Sequence, residues 1–110
     1  MVPFRRAIDQ AASWAAAIRY AHDLESQRAV PATYLKQIVT DGGPEIDTVR
    51  QTIEKITDLP VHLKGQAITL CEQMMAVLNA ASSDPRSLDV ARLKQLEDTL
   101  RSLIRTAGRP

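Results

Sequence analysis

Apolar residues recur every three or four positions along most of this chain, which is the spacing of one buried face on an α-helix. The pattern is interrupted at Pro31, at residues 41–44, at residues 58–60 and at residues 82–85. Proline favours the first turn of a helix and glycine the position just after its end. The four interruptions therefore predict five helical segments.

These segments all favour helix over strand. In the third, Asp47, Thr48 and Arg50 interrupt the two-residue alternation that a strand would need. Connections between consecutive segments are short, which is typical of antiparallel neighbours. The sequence predicts an all-α fold, a compact bundle of four to five amphipathic helices. Its predicted segments are Phe4–Gln27, Ala32–Thr40, Pro44–Thr57, Val61–Ala81 and Arg86–Ala107.

The fourth segment is apolar on two sides. One stripe consists of Leu63, Ala67, Leu70, Met74, Val77 and Ala81, and the other of Ile68, Cys71, Met75 and Leu78. A helix that is apolar over so wide an arc is normally surrounded by other helices. We therefore expect the helix at residues 61–81 to be central in the bundle.

Length and composition indicate one folded domain. The chain has 110 residues, of which 45% are hydrophobic and 25% charged, so a disordered chain is not expected. We assign residues 1–107 to a single helical-bundle domain and Gly108–Pro110 to a C-terminal tail. The formal net charge of +1 lacks the basic excess that phosphate contacts usually require, so we do not expect DNA as a partner.

Two further features indicate a cytoplasmic protein without a membrane segment. The only cysteine is Cys71, so no disulfide can form within the chain. Arg5 and Arg6 resemble the start of a signal peptide, but Asp9 and Gln10 interrupt the apolar run that would have to follow. The chain contains no apolar stretch of about 18 residues, the length that a transmembrane helix needs.

The sequence offers no catalytic, cofactor-binding or metal-binding motif. Two distant histidines and one cysteine do not make a zinc site. Gly42 and Gly43 are followed by Pro44 and lack the lysine of a phosphate-binding loop. No serine lies in a nucleophile elbow. We therefore expect a protein that is not an enzyme and binds no cofactor.

One segment resembles a phosphate-accepting helix. His22 lies in Arg19-Tyr20-Ala21-His22-Asp23-Leu24-Glu25-Ser26 on the long first segment. This is similar to the histidine phosphotransfer domains and to the dimerisation helices of histidine kinases. The resemblance implies that an exposed His22 imidazole would take up phosphate as a nucleophile. Glu25 departs from the pattern, because phosphotransfer domains prefer a lysine there.

A second segment resembles the DNA-reading part of small bacterial repressors, a helix-turn-helix around residues 20–39. Leu24, Val30, Leu35 and Ile38 occupy its core positions. The resemblance implies that the face from Thr33 to Gln37 would reach base edges, through Thr33, Tyr34, Lys36 and Gln37. Glu25 and Arg28 depart from the pattern, which has a small and an apolar residue at those positions.

Together these features favour a non-enzymatic protein-interaction or regulatory module that works through a helix face. The partner would be another protein or a second copy of this chain. The alternatives are a DNA-binding transcriptional regulator that uses residues 20–39 and a phosphotransfer protein that uses His22. Burial of His22 would argue against phosphotransfer, and burial of the Thr33–Gln37 face would argue against DNA binding.

Overall fold

The computed structural model describes residues 2–107, and the predicted tail at residues 108–110 lies outside them. Four helices run along its longest dimension: α1 (Val2–Ser26), α2 (Ala32–Glu54), α3 (Val61–Ala80) and α4 (Val90–Ala107). A short 3₁₀ turn at Pro85–Ser87 precedes α4. The principal extents are 46 × 21 × 18 Å, as expected for helices packed side by side. The predicted all-α bundle is confirmed, with four long helices.

Helix α1 ends in a Schellman motif. The main-chain N–H of Ala29 donates to the Leu24 carbonyl at 2.8 Å, and that of Arg28 donates to the Glu25 carbonyl at 2.9 Å. Arg28 takes the left-handed conformation that this motif needs, with φ of 59°. Glycine is the usual residue there, because a side chain costs about 1 kcal/mol in that conformation.

Helix α2 is continuous, so the predicted break at residues 41–44 is wrong. Its buried positions follow spacings of four and three across the Gly-Gly-Pro sequence: Leu35, Val39, Gly42, Ile46, Val49 and Ile53. Proline within a helix costs about 3 kcal/mol. Burial of apolar side chains on both sides of Pro44 against one core outweighs that cost, since each fully buried side chain contributes about 1.5–3 kcal/mol.

Gly42 has a packing role in this continuous helix. A Cβ atom at this position would lie 2.7 Å from Cδ1 of Ile18 and 3.5 Å from Cδ1 of Leu78. The glycine therefore lets α2 pack closely against α1 and α3. Within the sequence alone, the same glycine looks like the end of a helix.

The expected central place of the helix at residues 61–81 is also wrong. Each helix occupies one corner of the bundle: α1 packs against α2 and α4, and α3 packs against the same two helices. Of the second apolar stripe, Cys71 and Leu78 are buried, whereas Ile68 and Met75 are only half-buried at the edge of α3. Ile68 and Met75 pack against the edge of the core, and the far side of α3 is exposed.

Helix α4 begins later than predicted, because residues 85–87 form the 3₁₀ turn. The Asp89 carboxylate caps α4 by accepting a hydrogen bond from the Arg92 N–H at 3.0 Å. All four helices contribute to one cluster of buried side chains. Its largest fully buried members are Phe4, Ile8, Ile18, Leu35, Ile46, Val49, Ile53, Met74, Leu78, Leu93, Leu96 and Leu100.

Candidate protein-interaction surface

The far side of α3 is exposed and almost free of charge. Glu72 is the one charged side chain on this exposed side. Its ten exposed residues are Val61, His62, Gly65, Gln66, Thr69, Glu72, Gln73, Ala76, Asn79 and Ala80. The exposed sides of the other helices carry charges along their length, for example Arg5, Asp9, Lys36, Asp41, Lys94 and Asp98.

Two grooves follow one another along the seam between α3 and α4. The first is lined by Gly65, Gln66, Thr69, Leu70, Thr99 and Leu103. The second is lined by Gln73, Ala76, Val77, Ala80, Ser87, Asp89 and Arg92. We call the exposed side of α3, together with these two grooves, the α3–α4 face.

The first groove is open down to the backbone at Gly65. Apart from the neighbouring residues and the backbone of α3 itself, no atom lies within 4 Å of the position that a Cβ would take there. Leu70 and Leu103 contribute apolar surface to this groove, with 9% and 8% of their surface exposed. Helices α3 and α4 also pack less extensively than the other adjacent pairs. A partner side chain or helix can therefore approach close to the main chain of α3.

Charges in the grooves are few and balanced. Asp89 and Arg92 lie at the same end of the second groove and have opposite sign. The Arg92 guanidinium also donates to the Gln95 amide oxygen at 2.8 Å. The linings of the two grooves therefore carry no charge except Asp89 and Arg92, and Glu72 is the one exposed charge on α3 beside them.

His22 lies at the opposite end of the bundle from the start of α1, and it is half-buried. Its Nε2 atom is 3.4 Å from the main-chain oxygen of Arg86. Glu25, one turn further along α1, is buried and accepts a hydrogen bond from Arg86 Nε at 2.7 Å. The imidazole therefore lies beside an ion pair that joins α1 to the 3₁₀ turn, at an open groove that it lines together with Ser26 and Arg28.

The Thr33–Gln37 face is exposed apart from Leu35, which is buried. The Gln37 amide donates to the Asp41 carboxylate at 2.9 Å, so this amide already has a partner. Lys36 is followed on α2 by Asp41 and then by Glu45 and Asp47. Because acidic side chains repel phosphates, this part of α2 is a poor match for a DNA backbone.

Cys71, the only thiol, is a fully buried residue of α3. Burial raises its pKa to about 11, and the nearby Arg50 charge offsets only part of that rise. A thiol that keeps its proton and has no access to solvent is a poor nucleophile. Cys71 is therefore part of the core, as a small apolar side chain.

Glu97 is the other buried carboxylate, and it joins α1 to α4. Its Oε1 accepts two hydrogen bonds from Arg19, at 3.0 Å from Nε and 2.6 Å from Nη2. Its Oε2 accepts a third from Arg101 at 3.3 Å. These groups satisfy one another, so we assign them to the architecture of the bundle.

Within residues 2–107, no group of three or more His, Cys, Asp and Glu side chains is placed to hold a metal ion. No helix in this range is long and apolar enough to cross a membrane. Comparison with protein-family models, with curated proteins and with solved structures finds no match to this chain. The functional argument therefore rests on the surface itself.

The sequence contains a signal for the α3–α4 face that the periodicity analysis missed. Lys64, Glu72 and Asp84 are the only ionised side chains between residues 61 and 85. The two apolar stripes of this segment led us to expect a central helix. A corner helix with the same composition has instead an uncharged surface in contact with solvent.

Proposed function

We propose that this protein is a non-enzymatic interaction module that binds a protein partner by helix packing against the α3–α4 face. The observation that carries the proposal is the near absence of charge on the exposed side of α3. Exposed helix faces in soluble proteins normally carry charged residues. Depletion of charge is typical of the buried centre of a protein–protein interface.

The shape of the face supports helix packing as the mode of binding. Small residues on α3, namely Gly65, Thr69 and Ala76, lie beside grooves with apolar walls. An amphipathic helix can place its apolar side chains into such grooves at spacings of three and four residues. The affinity would come mainly from apolar burial, with Gln66, Gln73 and Thr99 supplying hydrogen bonds at the rim.

The settings of Cys71 and His22 also fit a non-enzymatic module. Cys71 is buried with a raised pKa, and the His22 ring packs against a main-chain oxygen. A single buried thiol also suits a reducing compartment, so we place the module in the cytoplasm.

A photoreactive amino acid placed at Thr69 tests the proposal directly. Thr69 is exposed at the middle of the face, and Thr48, exposed on α2, provides the matched control position. After irradiation in its own cells, the protein should form a covalent adduct with a polypeptide at Thr69 and none at Thr48. Equal adducts at the two positions, or none at Thr69, would contradict the proposal.

A further inference from the structure

We propose that the partner on the α3–α4 face is a second copy of this chain, packed antiparallel about a two-fold axis near Thr69. This inference rests on the proposed function, because it names the occupant of the same face. It depends on two properties of the face, its charge distribution and its size.

Charge distribution favours self-association. In a two-fold symmetric interface, a residue near the axis meets its own copy, so any charge there repels itself. Beside the seam, the middle of the α3–α4 face is formed by Gln66, Thr69, Gln73 and Thr99, all of which are uncharged. Glu72 is the one exposed charge near the middle of α3, and an antiparallel axis at Thr69 sets it opposite the uncharged Gln66 of the other copy, not opposite itself. A face centred on the exposed side of α4 would instead bring like charges together, for example Lys94 or Arg101 against itself.

The antiparallel arrangement also separates the remaining charges. Asp89 and Arg92 lie at one end of the face, and Gly65 lies towards the other. An axis across the middle of α3 places the Asp89–Arg92 end of each copy over the uncharged Gly65 end of the other. Like charges therefore do not meet across the interface.

The size of the face matches what a dimer needs. Helix α3 has 20 residues and is therefore about 30 Å long. Two neighbouring helices present a width of about 20 Å, so the face covers about 600 Å² on each copy, or about 1,200 Å² in the dimer. That total lies at the lower end of stable interfaces, whereas α3 alone would supply only about half of it.

Sedimentation equilibrium of the purified chain, over a concentration series from low to several hundred micromolar, tests the dimer. We expect the 12.2 kDa chain to double its mass reversibly in the micromolar range. Thr69→Arg and Thr69→Glu should each weaken the dimer about a hundredfold, because each brings like charges together at the axis. Thr48→Arg, a charge of the same sign on α2, should leave it unchanged.

An equal mixture of Thr69→Arg and Thr69→Glu gives the sharpest result. If Thr69 meets its own copy, the two variants should form a mixed dimer at least as stable as that of the wild-type chain. A wild-type chain that stays monomeric throughout, a dimer unaffected by both substitutions, or a mixture that does not associate would overturn the inference. Circular dichroism confirms that each variant is folded.

The two proposals fail in different ways. A purified chain that stays monomeric while the photoreactive group at Thr69 captures a different protein would refute the dimer and leave the interaction module standing. Adducts distributed equally between Thr69 and Thr48 would refute the proposed function. An adduct at Thr69 with twice the mass of the chain would support both.

Discussion

The ion pair between Arg19 and Glu97 permits a quantitative test of how α1 is held against α4. Replacement of Arg19 by methionine keeps most of the side-chain volume and removes both hydrogen bonds to Glu97 Oε1. Glu97 is only 5% exposed, so its carboxylate would keep a single contact, 3.3 Å from Arg101. A buried charge that loses its main partner destabilises the folded state.

The size of the effect follows from the burial of the two partners. Breaking a fully buried pair costs about 3–5 kcal/mol. The Arg19 side chain is 24% exposed, so water compensates part of the loss and we expect a cost of about 2 kcal/mol. For a chain of 110 residues, this lowers Tm by about 8 °C.

A double-mutant cycle provides the control. Because Arg19→Met/Glu97→Met replaces the pair with two apolar side chains, its free energy of unfolding should return to within about 1 kcal/mol of the wild-type value. Urea denaturation followed by far-UV circular dichroism measures all four proteins. If Arg19→Met alone changes stability by less than about 0.5 kcal/mol, water already satisfies Glu97 and the reasoning fails.

Three further predictions concern single positions in the bundle, each measured by thermal or urea denaturation. Gly65→Ala should raise the free energy of unfolding by about 0.5–1 kcal/mol, because alanine favours the helix more than glycine does. Gly42→Ala should lower it by about 1–2 kcal/mol, because its Cβ would lie 2.7 Å from Ile18 Cδ1. Equal effects of the two substitutions would contradict the packing role of Gly42. Arg28→Gly should stabilise the chain by about 0.5–1 kcal/mol, since it relieves a φ of 59°, and a loss of stability would show that the arginine side chain is needed. Burial raises the pKa of Cys71 from 9.0 to about 11, so the unfolded chain releases the thiol proton at lower pH than the folded chain does. The free energy of unfolding should therefore fall as pH rises from about 9 to about 11. Cys71→Ser should lack this loss of stability, and identical pH profiles for the two proteins would refute the prediction.

The helical class and three of the four long helices could be predicted from periodicity alone. The ends of α1 and α3 lie within two residues of the predicted ones, because a loop containing proline follows α1 and another precedes α3. Glu97 and Arg101 have the i,i+4 spacing of a helical ion pair and form one, and the structure adds Arg19 as the partner at shorter distance.

The break in α2 could not be judged from local sequence. Gly42, Gly43 and Pro44 are ordinary signals for the end of one helix and the start of another. They become part of a single helix only because α1 and α3 cover the glycine and the apolar stripe continues beyond the proline. The position of α3 was predicted wrongly for a similar reason. Two apolar stripes predict a helix with a wide buried face, but only the packing of the other helices decides how much of that face they cover.

The candidate surface therefore had to come from the structure. The sequence singled out His22 and the Thr33–Gln37 face by resemblance, and neither of them lines the grooves of the α3–α4 face. Periodicity does not identify an exposed helix face when the residues of that face are uncharged, as in the core. Thr69 and Gly65 are candidate interface residues because the structure shows them exposed to solvent.

The reaction rate of an introduced cysteine with a maleimide measures most directly whether a partner covers the α3–α4 face in the cell. Thr69→Cys and Thr48→Cys each add one exposed thiol, and native Cys71 does not compete because it is buried and its pKa is raised to about 11. We predict that Thr69→Cys reacts with a maleimide at least about tenfold more slowly in its own cells than in dilute purified protein, whereas Thr48→Cys reacts equally fast in both. Equal rates for Thr69→Cys in the two settings would contradict the account.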